Sequence, residues 1–332
     1  MAPRLVVVID TEEDWFDEWD RPTTIDNVFA LPEIQKQYFD PVQVKPTYTI
    51  TYPVATNAEC VSIFKRFAEE DVAEIGTHVH NWTSPPFTEH DRIERTYHSS
   101  IDPVLERQKI AELTGIIEKE VGSRPTTFKG GRWGASGNTI KSLFDLGYTV
   151  DTSVCPITDF RPFQGGPDYT DAPFDCYFPS HGNIMDPDVN ADRTSSVLEV
   201  PVSVGFANSN FESQLRTWKK ANRNVALKSL KAVGILNRLG VVCRIKLTPE
   251  QSNLAEMKQL VDALLRREHQ VINLTFHSCI LSLGHSPYSM TQVDLDERLA
   301  RIAGILDYIV NEKGIAPATC RELRAGFEAG TD

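Results

Sequence analysis

The sequence predicts an α/β fold, with a parallel, barrel-like sheet in a single domain, on three observations. Leu5-Val6-Val7-Val8-Ile9 is an unbroken aliphatic run that stops at Asp10, Glu12, Glu13 and Asp14, the composition of a parallel strand buried on both faces. Short apolar runs of this kind alternate with helix-periodic segments along the chain, as parallel strands with crossover helices require. Several runs end in acids or histidines, and the carboxyl ends of parallel strands are where α/β proteins carry chemistry. Residues two apart on a strand share a face, so Asp10 and Glu12 are expected to point the same way.

The 332 residues, 41% hydrophobic, suffice for one large core. No segment approaches the apolar length that spans a bilayer. The N-terminal run is short and ends in acid without a small-residue cleavage site, so no signal peptide is read. Cys60, Cys155, Cys176, Cys243, Cys279 and Cys320 show no CxxC spacing. That disfavours a zinc–thiolate module and predicts reduced thiols in a cytoplasmic protein. A formal net charge of −12 argues against a nucleic-acid partner, which needs a basic face.

Taken in order, 15–32 (aromatic, acidic and turn-rich) reads as a long loop above the first strand end. Lys45–Val54 reads as a strand, rich in Thr and Tyr. Cys60–Asp71 has helical spacing, and Ala73–Gly76 is a short strand that enters Thr77-His78-Val79-His80-Asn81-Trp82. Ser99–Val121 is a long helix with Pro103 near its first turn. Pro125–Phe128 is a strand leading into the glycine-rich Lys129-Gly130-Gly131-Arg132-Trp133-Gly134. Asn138–Leu146 is a helix stopped by Gly147, and Tyr148–Val150 a strand ending at Asp151. Residues 155–195 lack periodicity and read as an insertion or long loops. Val197–Val202 is a strand, and Phe211–Leu239 a basic helical stretch whose charges suit a solvated face. Leu254–Leu265 is an amphipathic helix, Val271–Phe276 a buried strand ending at His277, and Leu295–Val310 the final helix.

Asp10/Glu12, His78/His80, Asp151 and His277 thus stand at four strand ends, with Lys129 and Arg132 after a fifth. In a parallel barrel all of them lie on one face. His78 and His80, at i and i+2, share a side of the chain. With a carboxylate from Asp10, Glu12 or Asp14 they would make a two-histidine, one-carboxylate site with open positions for water and substrate. Trp82, Trp133 and Tyr288 are candidate sugar-stacking surfaces, although buried aromatics more often serve packing.

DTEEDW, EIGTHVHNWTSPPF, FKGGRWG, VDTSV and LTFHSCILSLGHSPY, in this order, resemble the motifs of the polysaccharide deacetylase (NodB-like, carbohydrate esterase family 4) superfamily, most closely its WalW-like bacterial subgroup. The resemblance spans about Leu5 to Leu323. It implies a distorted, incomplete (β/α)7-type barrel and metal-dependent hydrolysis of N-acetyl groups on sugars. It makes Asp10 the catalytic base, Glu12 the metal carboxylate and His78 the first metal histidine. The family usually spaces its two histidines more widely. Trp82 holds that later position here, so His80 is expected to supply the second imidazole. FKGGRWG corresponds to the segment whose arginine orients the base; Lys129 stands where relatives often carry arginine, so Arg132 is expected to take that role, with Lys129 as the alternative. Asp151 resembles the aspartate that tunes the catalytic histidine, and His277 resembles that histidine, the general acid. Lys129, with Trp82, Trp133 and Tyr288, is a candidate substrate contact.

The implied cofactor is a divalent metal, zinc first, with cobalt, nickel or iron as alternatives. The implied substrate is an N-acetylated sugar or glycan precursor in glycan or cell-envelope biosynthesis. Two rivals are a cyclic amide or imide hydrolase, allantoinase-like and metal-independent in some relatives, and a glycan-binding relative without catalysis. The sequence does not set the oligomeric state.

Overall fold

The computed structural model describes residues 2–15, 24–88, 97, 100–207, 210–223 and 242–328. Its strands are β1 (Arg4–Thr11), β2 (Thr47–Ile50), β3 (Glu74–Val79), β4 (Thr127–Gly130), β5 (Val150–Asp151), β6 (Leu198–Glu199), β7 (Val204–Phe206), β8 (Arg244–Lys246), β9 (Val271–His277) and β10 (Ala316–Pro317). The parallel sheet follows the path β9-β1-β2-β3-β4-β5-β6 and curls into a half-barrel. β10 pairs with Arg4 and Leu5, which β2 leaves free, since β2 takes Val8 to Thr11. This is the predicted distorted, incomplete barrel.

The opening between β6 and β9 is filled by irregular backbone rather than by a strand of the sheet. Leu247 donates to the Ser203 carbonyl at 2.8 Å, and Thr275 of β9 donates to the Leu247 carbonyl at 3.2 Å. The antiparallel pair β7–β8 follows directly from these residues. No periodic signal marks pieces of three residues, which is why neither strand was expected.

Helix boundaries follow their caps. Asp102 accepts from the backbone N–H groups of Val104 and Leu105, so the helix begins at Pro103 and runs to Glu120 rather than from Ser99. Asn57 caps Ala58–Glu69, and a Ser136/Thr139 box caps Gly137–Asp145. A Thr291/Asp294 box starts the helix Gln292–Asp307 three residues before the expected Leu295. The expected strand Lys45–Val54 is cut to β2 because Pro53, in a first turn, favours the short helix Tyr52–Thr56. A helix at Cys320–Glu328 was not foreseen. Residues 156–193 are turns and isolated bridges, tied in by Tyr169, whose hydroxyl donates toward the carbonyls of Trp133 and Ala135. Of the basic stretch, Phe211–Arg223 is a helix, with Lys219 and Arg223 paired to Asp171 at the surface; 224–239 lie outside the described residues, as do 16–23 of the first loop.

Two apolar clusters support the sheet: a large one reaching from Leu5, Val7 and Ile9 through Tyr48, Phe64, Phe67 and Phe128 to Leu274 and Phe276, and a smaller one around Val6, Val8, Val150, Leu198 and Val200. No disulfide links the described cysteines, and no described helix is long and apolar enough to cross a membrane.

Lys109, fully buried on Pro103–Glu120, donates its ammonium to the carbonyls of Asn81 (3.0 Å), Ser84 (2.6 Å) and Pro86 (3.0 Å). It thereby fixes the turn that follows His80. Hydrogen bonds from a charged donor are worth roughly 1.5–3 kcal/mol each, and orphaned buried carbonyls add to the loss. Lys109→Met is therefore expected to lower the unfolding free energy by about 3 kcal/mol or more in urea titration; a loss under about 1 kcal/mol would contradict this reading of the turn.

Candidate active site

Strand register places the chemistry. Asp10 lies opposite Thr49 on one side and His277 on the other, and His78 lies opposite Lys129. These residues gather at the carboxyl ends of the strands, above a cavity of about 520 Å³, within the usual range for small-molecule sites.

Glu12, His78 and His80 converge there as a group that could hold a metal ion. Glu12 Oε2 lies 3.1 Å from His78 Nε2 and 3.0 Å from His80 Nε2, and the two Nε2 atoms are 3.1 Å apart. An ion with tetrahedral bonds of about 2.0–2.1 Å sets its ligands roughly 3.3 Å apart, so the three donors fit an ion with small adjustment. The outer contacts aim the donors. His78 Nδ1 lies 3.0 Å from the Lys129 carbonyl, an acceptor only, so that nitrogen carries a proton and Nε2 is the atom turned toward the cluster. His80 Nδ1 faces Glu13 Oε2 at 3.1 Å, the carboxylate–histidine arrangement common behind metal ligands. Gly131 must lack a side chain, because a Cβ there would come within 2.6 Å of His80 Cδ2 and 2.7 Å of the Val79 carbonyl.

The charges are strongly coupled. Burial pushes the Glu12 carboxyl up, but the His277 and His80 charges and its bonds to His78 and His80 outweigh burial and hold it well below the usual range. Burial disfavours a charged His80, yet Glu13 and Glu12 overcome this and raise it to about 10. The pair of carboxylates thus demands positive charge at this point, carried by a proton on His80 or by a cation among the three donors.

Asp10, buried beside this cluster, forms an ion pair with Lys129 at 2.7 Å and accepts from Thr49 Oγ1 at 3.3 Å. Burial alone would raise its pKa; Lys129, His78 and His277 reverse that and keep it ionised. His277 Nε2 lies 3.8 Å from Asp10 Oδ2 and 3.9 Å from Glu12 Oε1. Glu250 Oε1 accepts from the His277 backbone N–H and contacts its Nδ1, each at 2.7 Å. Burial opposes a charged His277, but Glu250, Glu12 and Asp10 raise it to about 9.

Three expectations are corrected by this geometry. Lys129, not Arg132, meets Asp10, and Lys129 is buried and does not line the cavity in which a substrate would sit. Arg132 and Trp133 both have left-handed backbones (φ 54° and 64°), which ends strand alternation and carries Arg132 to Gln164 (2.6 Å) and over the Tyr97 ring. Asp151 is not the partner of His277: Glu250 holds that place, while Asp151 accepts from Ser153 Oγ at 2.5 Å and is hydrogen-bonded to buried Glu199. Asp14, one of the open carboxylate choices, instead orders the next turn, accepting from Thr24, Asp26 and Asn27. Trp82, stacked 4.2 Å from His80, Trp133 and Tyr288 all line the cavity, as does Arg132. Sequence reasoning missed Glu13, Glu250 and Lys246.

No protein-family model matches the chain, and no curated protein does. Solved structures do. A protein assigned as a polysaccharide deacetylase from Mycobacterium smegmatis superposes with a TM-score of 0.57 at 14% identity, over 99% of this chain and 94% of that one. Another so assigned, from Pseudomonas aeruginosa, gives 0.54 at 15% identity, over 99% and 91%. The fold is that of the polysaccharide deacetylases. PuuE allantoinase shares it too, with a TM-score of 0.52 at 14% identity over 99% and 91%, so the fold alone does not choose the reaction.

If the three donors hold one ion, calorimetry should find one divalent ion per chain. Glu13→Ala should weaken binding about 10- to 100-fold, as losses behind a ligand do, and His78→Ala should weaken it further. Unchanged affinity in His78→Ala would place the ion elsewhere.

Proposed function

We propose that this chain is a metal-dependent hydrolase that removes the N-acetyl group of an amino sugar in cytoplasmic glycan or cell-envelope polysaccharide synthesis, as in the WalW-like subgroup. The observation that carries this reading is the placement of Asp10 and His277, 3.8 Å apart, together beside the Glu12–His78–His80 cluster in one cavity. Zinc, or another divalent ion held by those three residues, would supply Lewis acidity toward the amide carbonyl and water.

The protein's own groups cover the remaining steps. Amide hydrolysis breaks a C–N bond, forms a C–O bond, and moves one proton from water to the departing nitrogen. Asp10, kept ionised by Lys129, is the base that takes the water proton. His277, charged at neutral pH and held through Nδ1 by Glu250, donates from Nε2 to the amine. Trp82, Trp133 and Tyr288 offer apolar ring surfaces in the cavity on which a pyranose face can rest.

Ring opening of a cyclic amide is the second reading. It is favoured by the fold shared with PuuE allantoinase and by Trp82, which stands where deacetylases usually place a histidine.

Acetate release from a panel of acetylated sugars, run beside an allantoin ring-opening assay, separates the two. Parent protein is expected to release acetate, and Asp10→Asn to lose roughly 100- to 10,000-fold, the usual worth of a positioned base. Asn at full activity would remove Asp10 from the chemistry.

The pH profile is a separate test. Catalysis needs Asp10 ionised and His277 protonated, so activity should persist across neutral pH and fall as pH rises through about 9. Glu250→Gln removes the leading charge that raises His277, and should move that alkaline limb to lower pH. An unmoved limb would assign it to another group.

A further inference from the structure

Lys246 has no task in the steps above, yet it lines the same cavity. It ends β8, in the antiparallel pair beside the gap between β6 and β9. Its ammonium lies 3.9 Å from the centroid of the Trp133 ring, which the Lys129 ammonium approaches at 4.1 Å. Two cations share one indole, and among the described residues an ion pair neutralises only Lys129. Lys129 has Asp10 at 2.7 Å, whereas no carboxylate among the described residues forms an ion pair with Lys246.

Cys155, Glu250 and Asp10 act on Lys246 from a distance, and neither carboxylate forms an ion pair with it. Glu250 Oε1 is occupied by His277, and Asp10 Oδ1 by Lys129 and Thr49. Burial pushes the Lys246 ammonium below its ordinary pKa of 10.5, and Lys129 adds repulsion. A cation kept in a cavity without a protein anion is costly. An anion arriving from outside would remove that cost.

We propose that Lys246 recognises a fixed negative charge on the substrate, a carboxylate or phosphate oxygen borne by the molecule that carries the scissile amide. This rests on the hydrolase reading and narrows its substrate class to anionic acetamido sugars. The cavity carries both signs: Asp10, Glu12, Glu13, Asp14 and Glu250 line it, and so do Lys246 and Arg132. A cation in such a site favours anionic over neutral ligands of the same shape.

The test uses deacetylated products, which bind without turnover. Glucosamine, glucosamine 1-phosphate and 2-amino-2-deoxyglucuronate are titrated calorimetrically into the metal-loaded protein. At least one charged product is expected to bind about tenfold or more tightly than glucosamine, with the preference shrinking as salt rises. Which of the two does so separates phosphate from carboxylate. In Lys246→Met the charged-to-neutral preference should collapse to within about twofold; Lys246→Arg should keep most of it, and Lys246→Gln replaces the Met variant if that misfolds. Equal binding of all three products by the parent, or an undiminished preference in Lys246→Met, overturns the proposal. So does an equal fall in kcat on charged and neutral acetylated sugars without any binding preference, which would make Lys246 a stabiliser of reaction charge. Absence of acetate release from any sugar, with the charge preference intact, would instead remove the hydrolase reading and leave the anion site standing.

Discussion

The buried ion pair between Lys129 and Asp10 is the contact on which the rest of the site depends. The two residues lie on β4 and β1, with β2 and β3 between them, so the lysine reaches across the inside of the half-barrel to close a 2.7 Å contact. Its ammonium also donates to Thr275 Oγ1 on β9 at 2.7 Å. Removing two charges from water costs several kcal/mol per ion, and an apolar pair of equal volume is often as stable or more so. The pair therefore makes better sense as chemistry than as glue. Its side chain keeps the carboxylate ionised, and the carbonyl of the same lysine sets the tautomer of His78. One residue acts on both the Asp10 carboxylate and the His78 ring.

The other carboxylates follow the same logic of paired roles. Glu13 stands behind His80, and Glu250 behind His277. Each imidazole in the site has its Nδ1 on an oxygen and its Nε2 toward the shared space. That leaves three Nε2 atoms and the carboxylates of Asp10 and Glu12 facing one another, an arrangement of high mutual charge that is tolerable only because it is balanced locally. Lys109 holds the turn after His80 from below, and Gly131 lets that ring pass close to the backbone.

Much of this was legible in the sequence, and the illegible parts share a cause. Strand ends reached by extended backbone could be read: Asp10, Glu12, His78, His80 and His277 sit where alternation places them. Once the backbone left extended geometry the reading failed. Arg132 lies three residues after Lys129, but two left-handed residues redirect it toward Tyr97. Glu250 comes from an irregular turn after β8, and its pairing with His277 spans 27 positions with no periodic signal between them. Asp151 occupied a strand end, as read, but strand position does not say which neighbour a carboxylate will choose. The same limit hid the filling of the half-barrel's open side, which depends on backbone hydrogen bonds from Ser203 and Leu247 rather than on any pattern of side chains.

Fold and site carry different weight. The polysaccharide deacetylase fold is shared with an allantoinase, so the function rests on whether the three donors hold an ion with Asp10 and His277 both on its open side. Anomalous diffraction from crystals of the cobalt-loaded protein addresses this directly. The expected result is a single peak within bonding distance of Glu12, His78 and His80, with the Asp10 carboxylate and His277 Nε2 both facing its unliganded side. A peak bound elsewhere, or one whose open side faces away from Asp10 and His277, would contradict it.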